Sequence, residues 1–537
     1  MKRLRTIVIA LSVMILALTL RLAYIQVLGH EDLSAATRAQ SLIALEGSNT
    51  RGIIYDRYGQ PLVADEKHYI YIIKNENFNE NAEQLLRKMD AGIVSSNNEG
   101  HQVYSSHRYD KKVGRKLIED NGAYILQASA RYGDSQTAPH LIGYVNKKDS
   151  SGAAGLELMY DDRLSGLNRQ VYAAADVKGN ILPGRGLIIA SDGNNDSYVT
   201  EGIRTTIDKE LQEEVEEIIG EEDNNCAVVV LDTSTGGVAA MACTPTFDPN
   251  DVTEHIKKGK DELINKVTQG EYPPGSIFKI VVAAAALEDG VDPDKKYICK
   301  GHVSLDGMSI GCDTGGEDGH GEIGFSDAFA QSCNSFFIEL GRDIGADKIV
   351  EMAEEMGLGN KVLDGYPQEA AGHMMDEKEY SGNGIGNLSI GQGEVLVTPI
   401  QIASMTNIIA AGGLDKGVHL LMEEQGEEKQ VLSKNTAATL QKMMELTTLE
   451  GTGNILKKDE NEENLVAVKT GTAQYGDIKE GNTHGWITGF TPCEEPEYVI
   501  TVIVEGGSSG AKAAGPVMRK IIEYLEESGS YSRPTLA

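Results

Sequence analysis

The sequence predicts an α+β protein. A five-stranded antiparallel sheet with helices on both faces follows a mixed α/β pedestal domain and a single N-terminal transmembrane helix. Three observations lead to this prediction. After residue 200, strand-like runs occur near both ends of the remaining chain, and the long stretch between them is largely helical. A polar stretch rich in Gly, Asn, Ser and Asp separates this part from the preceding residues. At the N-terminus, an uncharged run follows three basic residues.

Length and composition limit the functional classes. The chain has 537 residues, of which 40% are hydrophobic and 24% are charged, and this is typical of two or three globular domains. The formal net charge of −32 argues against nucleic-acid binding, which requires a basic surface. The same charge argues against docking on anionic lipid through a basic patch. We interpret the acidity as a contribution to solubility.

The N-terminus carries the one clear targeting signal. The uncharged run 6–20 has 15 residues and would form about 22 Å of helix, which is short for a bilayer core. Arg21 can extend its side chain to the headgroups and let the helix continue to about Val27. The alternative is a cleaved signal peptide, because small residues occur at Ala35 and the position after it. We favour a retained anchor over 1–29, with a cytoplasmic N-terminus and an extracytoplasmic remainder.

Residues 30–200 have short strand-like runs and many turns. The segment 51–63 is typical of a hairpin-like element, and 155–166 places apolar residues at helical spacing. The polar stretch 190–202 marks a domain boundary. We therefore predict a pedestal domain, of the dimerisation type, over 30–200.

Residues 201–537 have the pattern of a second domain. An amphipathic helix begins after Asp208, and the run 226–242 is typical of a β-hairpin. Three more strand-like runs precede the amphipathic C-terminal helix 516–527. Strands from distant segments with helices between them predict one antiparallel sheet covered by helices.

Three short polar motifs occur in this domain: Ser276-x-x-Lys279, Ser332-Cys333-Asn334 and Lys469-Thr470-Gly471-Thr472. The first motif begins a predicted buried helix directly after two prolines and a glycine. Lysine at i+3 lies on the same helix face as the serine, so its amine can reach the hydroxyl. A serine nucleophile needs such a base, and a lysine serves only where burial or a neighbouring cation lowers its pKa. Lys469 is the candidate for that cation.

Each motif alone is a weak signal, but their combination is specific. S-x-x-K, S-D-N and K-T-G together are the signature of class A β-lactamases and penicillin-binding proteins. The middle motif departs from this pattern, because Cys333 stands in place of Asp. The outer Ser332 and Asn334 are the residues that face the cleft in that family, so the departure leaves the interpretation unchanged.

The chain resembles class B penicillin-binding proteins, the monofunctional peptidoglycan D,D-transpeptidases. The resemblance spans nearly the whole chain: RGIIYDRYGQPLV and HLIGYVNKKDSSGAAGLELMYDDRLSG in the pedestal, IGQGEVLVTPIQIA between the second and third motifs, and KTGTAQ and HGWITGFTP in the last strands. It implies the penicillin-binding and serine β-lactamase-like transpeptidase fold for residues 201–537.

The resemblance also implies catalytic roles. Ser276 would attack the D-Ala-D-Ala carbonyl and form an acyl-enzyme, with Lys279 as its general base. Ser332 would relay a proton to the leaving amine, and Asn334 would bind the substrate peptide.

Binding roles follow from the third motif. Lys469, Thr470 and Thr472 would hold the terminal carboxylate, while Gly471 would let the ligand backbone approach closely. The backbone N–H groups of Ser276 and Thr472 would form the oxyanion hole.

The expected ligands and partners are peptidoglycan stem peptides, β-lactam antibiotics and a membrane glycan polymerase of the SEDS family, with no cofactor and no metal. Two alternatives share the motifs. One is a serine hydrolase, either a D,D-carboxypeptidase or a β-lactamase. The other is a non-catalytic penicillin-binding sensor or scaffold.

Cysteine usage adds a separate expectation. The six cysteines include no C-x-x-C pair, which argues against a zinc site or a disulfide framework. Cys299 and Cys312 lie in a Gly-rich stretch and either pair outside the cell or remain free thiols.

Overall fold

The computed structural model describes residues 2–23, 42–44, 51–63, 67–98, 100–133, 135–146, 151–165, 169–174, 187–191, 202–259, 261–305, 308–312, 314–316, 318–375, 383–424, 426, 428–458, 466–476 and 482–529. The chain divides into two compact units. The first unit comprises Met1–Ile53, Ala64–Gly133 and Asp162–Glu201, and the second comprises Ile54–Val63, Asp134–Asp161 and Gly202–Ala537. Two segments of the predicted pedestal, 54–63 and 134–161, therefore belong to the second unit. The predicted single boundary near residue 200 did not include this exchange.

The first unit contains two antiparallel sheets. The larger has four strands in the order Gly92–Asn98, His101–Ser106, Lys67–Lys74 and Tyr124–Ser129. Helices Glu80–Lys88 and Lys111–Asn121, capped by Asn79 and Asp110, pack on it through a core that includes Tyr71, Leu86 and Leu117. The smaller sheet has three strands, in the order Leu42–Ala44, Arg169–Ala174 and Leu187–Ser191.

An N-terminal helix runs from Lys2 to Ala23. Among the residues that the structure describes, none of the helices has the length and hydropathy that a bilayer crossing requires. Val27 and Ala35, on which the predicted end of the anchor and the alternative cleavage site depend, lie outside the described residues.

The second unit confirms the predicted five-stranded antiparallel sheet. The strand order is Val238–Cys243, Cys226–Asp232, Tyr498–Val504, Thr483–Thr491 and Ala467–Gln474. Every residue of the first three strands in this order is buried, because helices cover both faces of the sheet. Helices Lys209–Gly220 and Gly515–Glu527 pack on one face, and the fully buried helix Pro399–Ala410 packs against the central strands.

The stretch between the two groups of strands is largely helical, as predicted. Its helices are Val252–Lys258, Lys266–Gln269, Lys279–Glu288, Phe325–Ala330, Asn334–Ile344, Ala346–Glu355, Asn383–Ser389, Pro399–Ala410 and Lys434–Glu450. The same stretch contains short antiparallel ribbons that the sequence did not predict. They pair Lys296–Cys299 with Gly321–Gly324, His302–Leu305 with Met308–Gly311, and Leu414–Asp415 with Lys429–Gln430.

Candidate active site

The first motif lies where a 3₁₀ turn passes into a buried helix. Ser276 is in the turn Gly275–Phe278, and helix Lys279–Glu288 follows directly. All residues from Lys279 to Ala286 are buried, so the helix runs through the core and carries the Lys279 side chain into the interior. Ser276 itself is partly exposed and therefore accessible to a substrate.

Glycines bring this turn against the strand of the third motif. Gly275 has φ 54°, and a Cβ atom there would lie 2.5 Å from the carbonyl oxygen of Thr472. A Cβ atom on Gly471 would lie 2.8 Å from Cγ1 of Ile277. Only residues without a side chain permit such an approach. The Ser276 turn and the KTGT strand therefore line the same cleft.

The amine of Lys279 joins the first motif to the second. It donates to the carbonyl oxygen of Ser332 at 2.8 Å, to the Ser332 hydroxyl at 3.1 Å and to Oδ1 of Asn334 at 2.7 Å. Ser332 has φ 55°, in the left-handed region, and this turn presents both of its oxygens to the amine. These contacts compensate the desolvation of a lysine that is 0% exposed.

Lys469 brings the third motif to the same point. Its amine donates to the Ser332 hydroxyl at 3.2 Å and to the Thr470 carbonyl at 3.0 Å. Burial, and then the charge of Lys279, hold the pKa of Lys469 well below its ordinary value of 10.5. The two buried amines share the Ser332 hydroxyl, so the contact between Lys469 and Lys279 that the sequence suggested passes through this residue.

Within the part of the chain that the structure describes, the strand Ala467–Gln474 lies at the edge of the sheet and has Thr483–Thr491 as its one strand partner. An edge strand can accept an extended peptide as an additional strand. Thr472 is exposed on this strand, whereas Thr470 is buried. Of the four predicted binding residues on this strand, Thr472 is therefore the exposed one, while Lys469, Thr470 and Gly471 are buried.

Two residues that contact the third motif were missed by the sequence reasoning. The Thr452 hydroxyl lies 2.5 Å from the Thr470 hydroxyl, and Nε2 of Gln392 lies 3.5 Å from the Thr472 carbonyl oxygen. Gln392 belongs to the segment IGQGEVLVTPIQIA, whose resemblance to the family was the available signal. Thr452 follows the long helix Lys434–Glu450 and carried no signal.

Four potential metal ligands also meet next to the second motif. The ligand atoms of Cys299, Cys312, His320 and Cys333 lie within 4.8 Å of one another. The absence of C-x-x-C pairs had argued against a zinc site, but these four residues come from separate elements and do not need that spacing to meet. All six cysteines are free thiols, so Cys299 and Cys312 are not bridged.

Comparison with known proteins agrees with this architecture. The family described as Penicillin binding protein transpeptidase domain matches residues 226–523, and the Penicillin-binding Protein dimerisation domain matches 47–195. The peptidoglycan D,D-transpeptidase MrdA of Salmonella typhimurium is 26% identical over 97% of this chain and 96% of its own length. Stage V sporulation protein D of Bacillus subtilis is 26% identical over 98% of this chain and 86% of its own length.

The fold has a similar counterpart among solved structures. A peptidoglycan synthase complex that coordinates polymerization and crosslinking contains a chain that superposes with a TM-score of 0.71 at 24% identity, covering 97% of each chain. The transpeptidase match covers more than half of the 537 residues, and the three motifs of that domain meet in one cleft. The chain therefore belongs to the class B penicillin-binding proteins.

Proposed function

We propose that the chain is a peptidoglycan D,D-transpeptidase that cross-links stem peptides through an acyl-enzyme on Ser276. The observation that carries this proposal is the Ser332 hydroxyl, which receives hydrogen bonds from two buried amines, Lys279 and Lys469. A hydroxyl between two amines, one of which follows a partly exposed serine by three residues, is suited to moving protons during acyl transfer.

The acylation step uses these groups in order. Lys279, as the neutral amine, takes the proton of Ser276, and the serine oxygen bonds to the carbonyl carbon of the penultimate D-Ala. The peptide C–N bond then breaks, and the leaving D-Ala amine receives a proton through the Ser332 hydroxyl. Asn334, which accepts from Lys279 at 2.7 Å, orients the base and binds the substrate peptide.

Substrate binding is assigned to the third motif. The terminal carboxylate of the stem peptide, or that of a β-lactam, contacts Lys469, Thr470 and Thr472. The backbone N–H groups of Ser276 and Thr472 stabilise the oxyanion. Loss of one such donor typically costs about 10²–10³ in rate. The close approach at Gly471 keeps the strand and the Ser276 turn near enough to act on one carbonyl group.

Transfer is completed by an amine of a second stem peptide. As that amine attacks the acyl-enzyme carbonyl, it gives one proton to Lys279, which is neutral again after the departure of D-Ala. The ester C–O bond then breaks, Lys279 returns this proton to Ser276, and the new peptide bond remains. Every proton and every bond is accounted for without a cofactor.

Labelling with a fluorescent penicillin tests the assignment. We expect a covalent adduct on the peptide that contains Ser276 and no adduct in Ser276→Ala. An adduct on another residue, or labelling that survives this substitution, would remove Ser276 from the mechanism. The lifetime of the adduct separates transferase from hydrolase, because rapid turnover of the antibiotic would favour a β-lactamase.

We further propose that the N-terminal residues 1–29 anchor the chain in the cell membrane with the catalytic domain outside. The basic residues before the uncharged run 6–20 support this orientation. We also propose a SEDS-family glycan polymerase as partner. The similarity to a chain of a peptidoglycan synthase complex that couples polymerization with crosslinking supports such a partner. Co-purification of a polytopic polymerase with the full-length chain, lost on deletion of residues 1–29, tests both points.

A further inference from the structure

Three cysteines and a histidine converge beside the second motif. The ligand atoms of Cys299, Cys312, Cys333 and His320 all lie within 4.8 Å of one another. The three cysteines are 1%, 3% and 0% exposed, and His320 is partly exposed. We propose that these four residues bind one zinc ion, and that this ion holds the second motif in its catalytic position.

The distances between the ligand atoms fit a tetrahedral site. Zinc–sulfur bonds of about 2.3 Å place two sulfur ligands of a tetrahedron about 3.8 Å apart. The sulfur of Cys312 lies 3.6 Å from the sulfur of Cys333 and 3.6 Å from Nδ1 of His320. Three thiolates and one imidazole form a donor set that zinc prefers over harder divalent cations. The cluster therefore has both the size and the chemistry of a structural zinc site.

Each ligand stands at the end of a different element. Cys299 ends a strand, Cys312 follows one, His320 precedes one, and Cys333 caps a helix: Lys296–Cys299, Met308–Gly311, Gly321–Gly324 and Asn334–Ile344. One ion would therefore tie two separate ribbons to the start of a helix. Small ribbons bury little apolar surface, and a metal commonly supplies the stability that they lack.

Glycines let the surrounding turns close on the cluster. A Cβ atom on Gly315 would lie 2.8 Å from Nδ1 of His320. Gly319 has φ 70°, and a Cβ atom there would lie 2.4 Å from the carbonyl oxygen of Cys299. The glycine-rich composition of this stretch is thus explained by close packing around the four ligands.

A backbone N–H group points at one of the sulfur atoms. The N–H of Phe336 donates to the sulfur of Cys333, with the two atoms 3.5 Å apart. Hydrogen bonds of this kind orient metal ligands and stabilise their bound form.

Binding conserves electrons and releases protons. Three S–H groups lose their protons to solvent, three Zn–S bonds form, and His320 binds as a neutral imidazole through one nitrogen. With Zn²⁺ and three thiolates, the site has a net charge of −1. No oxidant or reductant takes part.

The cluster is directly connected to the catalytic groups. Cys333 is the middle residue of the second motif, between Ser332 and Asn334. Nδ2 of Asn334 donates to the carbonyl oxygen of Gly311 at 3.0 Å, and Gly311 precedes the ligand Cys312. The ligands are therefore positioning residues for the oxygens of this motif that accept hydrogen bonds from Lys279. The positioning role rests on the proposed function, whereas the metal site does not.

The first test measures metal content in the purified full-length chain, expressed with added zinc and kept under thiol-reducing conditions. We expect about one zinc per chain by elemental mass spectrometry, and a loss of about tenfold or more in affinity for Cys299→Ser and for His320→Gln. Cys493→Ser, which removes a cysteine outside the cluster, serves as the matched control and should retain the metal. Replacement of zinc by cobalt should give the visible bands of a tetrahedral thiolate site in the control but not in Cys299→Ser.

Any of three results would overturn the metal site. The first is a wild-type chain without stoichiometric zinc. The second is a disulfide between Cys312 and Cys333 found by peptide mapping, and the third is equal zinc content in Cys299→Ser and Cys493→Ser.

The second test addresses positioning. Removal of zinc by a chelator should slow penicillin acylation by about tenfold or more, and added zinc should restore the rate. Cys299→His, which substitutes another zinc ligand, should retain both metal and acylation. An unchanged acylation rate in the folded, zinc-free chain would overturn the positioning role. A zinc-loaded chain that penicillin does not label at all would instead contradict the proposed function, because zinc content is measured without activity.

Discussion

Lys279 and Lys469 donate to the same oxygen atom, the hydroxyl oxygen of Ser332, at 3.1 and 3.2 Å. Both lysines are 0% exposed. Two ammonium groups at this separation repel each other, and the pKa of Lys469 lies well below its ordinary value because of burial and the charge of Lys279. A single hydroxyl thus links two buried amines.

Replacement of the base should separate activity from stability. Lys279→Met removes the amine but keeps most of the buried volume, so we expect penicillin acylation to fall by about 10²–10⁴-fold. The melting temperature should change little, because relief of the desolvated amine and loss of its three hydrogen bonds offset one another. Acylation kinetics and the melting temperature check the two parts. Lys520→Met, on the helix Gly515–Glu527, is the control and should acylate at the wild-type rate. If Lys279→Met acylates within tenfold of the wild-type rate, Lys279 is not the general base.

Removal of the bridging hydroxyl should lower the rate without unfolding the chain. Ser332 has φ 55°, a conformation that glycine adopts without strain. We therefore expect Ser332→Gly to acylate about 10²–10³-fold more slowly while it melts at or above the wild-type temperature. Ser332→Ala should lose similar activity, because it also lacks the hydroxyl. A Ser332→Gly protein with wild-type acylation would show that proton transfer does not pass through this residue.

A single methyl group in the cleft should reduce acylation. Gly471→Ala places a Cβ atom 2.8 Å from Cγ1 of Ile277, next to Ser276. The strand and the turn must then separate, and a displacement near 1 Å can cost about 10²-fold in rate. Gly220→Ala is the matched control, since a Cβ atom at Gly220 has no neighbour within 4 Å. Equal acylation rates in the two variants would contradict the close contact between the first and third motifs.

Two titratable groups that line one cavity of 600 Å³ should act on stability with opposite signs. Burial raises the pKa of Glu216 from 4.5 to about 7, so the folded chain binds more protons than the unfolded chain between these values. The contribution of Glu216 to the free energy of unfolding is therefore present below pH 4.5 and is lost as the pH rises through about 7. Burial lowers the pKa of His140 from 6.5 to about 4, so its contribution is present above pH 6.5 and is lost as the pH falls through about 4.

Single substitutions reveal the two contributions. In Glu216→Gln, only the His140 contribution remains, and the free energy of unfolding should rise with pH between about 4 and about 6.5. In His140→Gln, it should fall as the pH rises from about 4.5 to about 7. Glu217→Gln, at an exposed position of the helix Lys209–Gly220 that carries Glu216, should leave the wild-type profile unchanged. Urea denaturation across this pH range is the measurement, and identical profiles in all variants would contradict the two shifts.

The catalytic sheet was predictable because its strands carry strong local signals. The runs at 226–242 and after residue 464 are apolar and bounded by turn residues, and the structure confirms five strands there. The three motifs were predictable because polar residues interrupt otherwise apolar elements. The convergence of Lys279, Ser332 and Lys469 depends on tertiary structure, and the sequence suggested it only through the combination of motifs.

The parts that the sequence missed depend on contacts between distant residues. Segments 54–63 and 134–161 pack with the second unit, where Arg57 forms an ion pair with Asp232 at 3.0 Å and Tyr160 donates to Glu424 at 2.7 Å. No local pattern encodes such partners. The four proposed zinc ligands were missed for the same reason, since strand pairing and a helix cap, rather than short spacing, bring them together.

The order of the strands also determines when the enzyme can become active during its synthesis. Strand Cys226–Asp232 pairs with Tyr498–Val504, and the KTGT strand joins the sheet through Thr483–Thr491, which pairs with Tyr498–Val504 as well. The ribosome completes all three motifs before it makes this last strand. Because such long-range pairing forms late, we expect a nascent chain that ends before Tyr498 to contain every reactive group and yet not to react with penicillin.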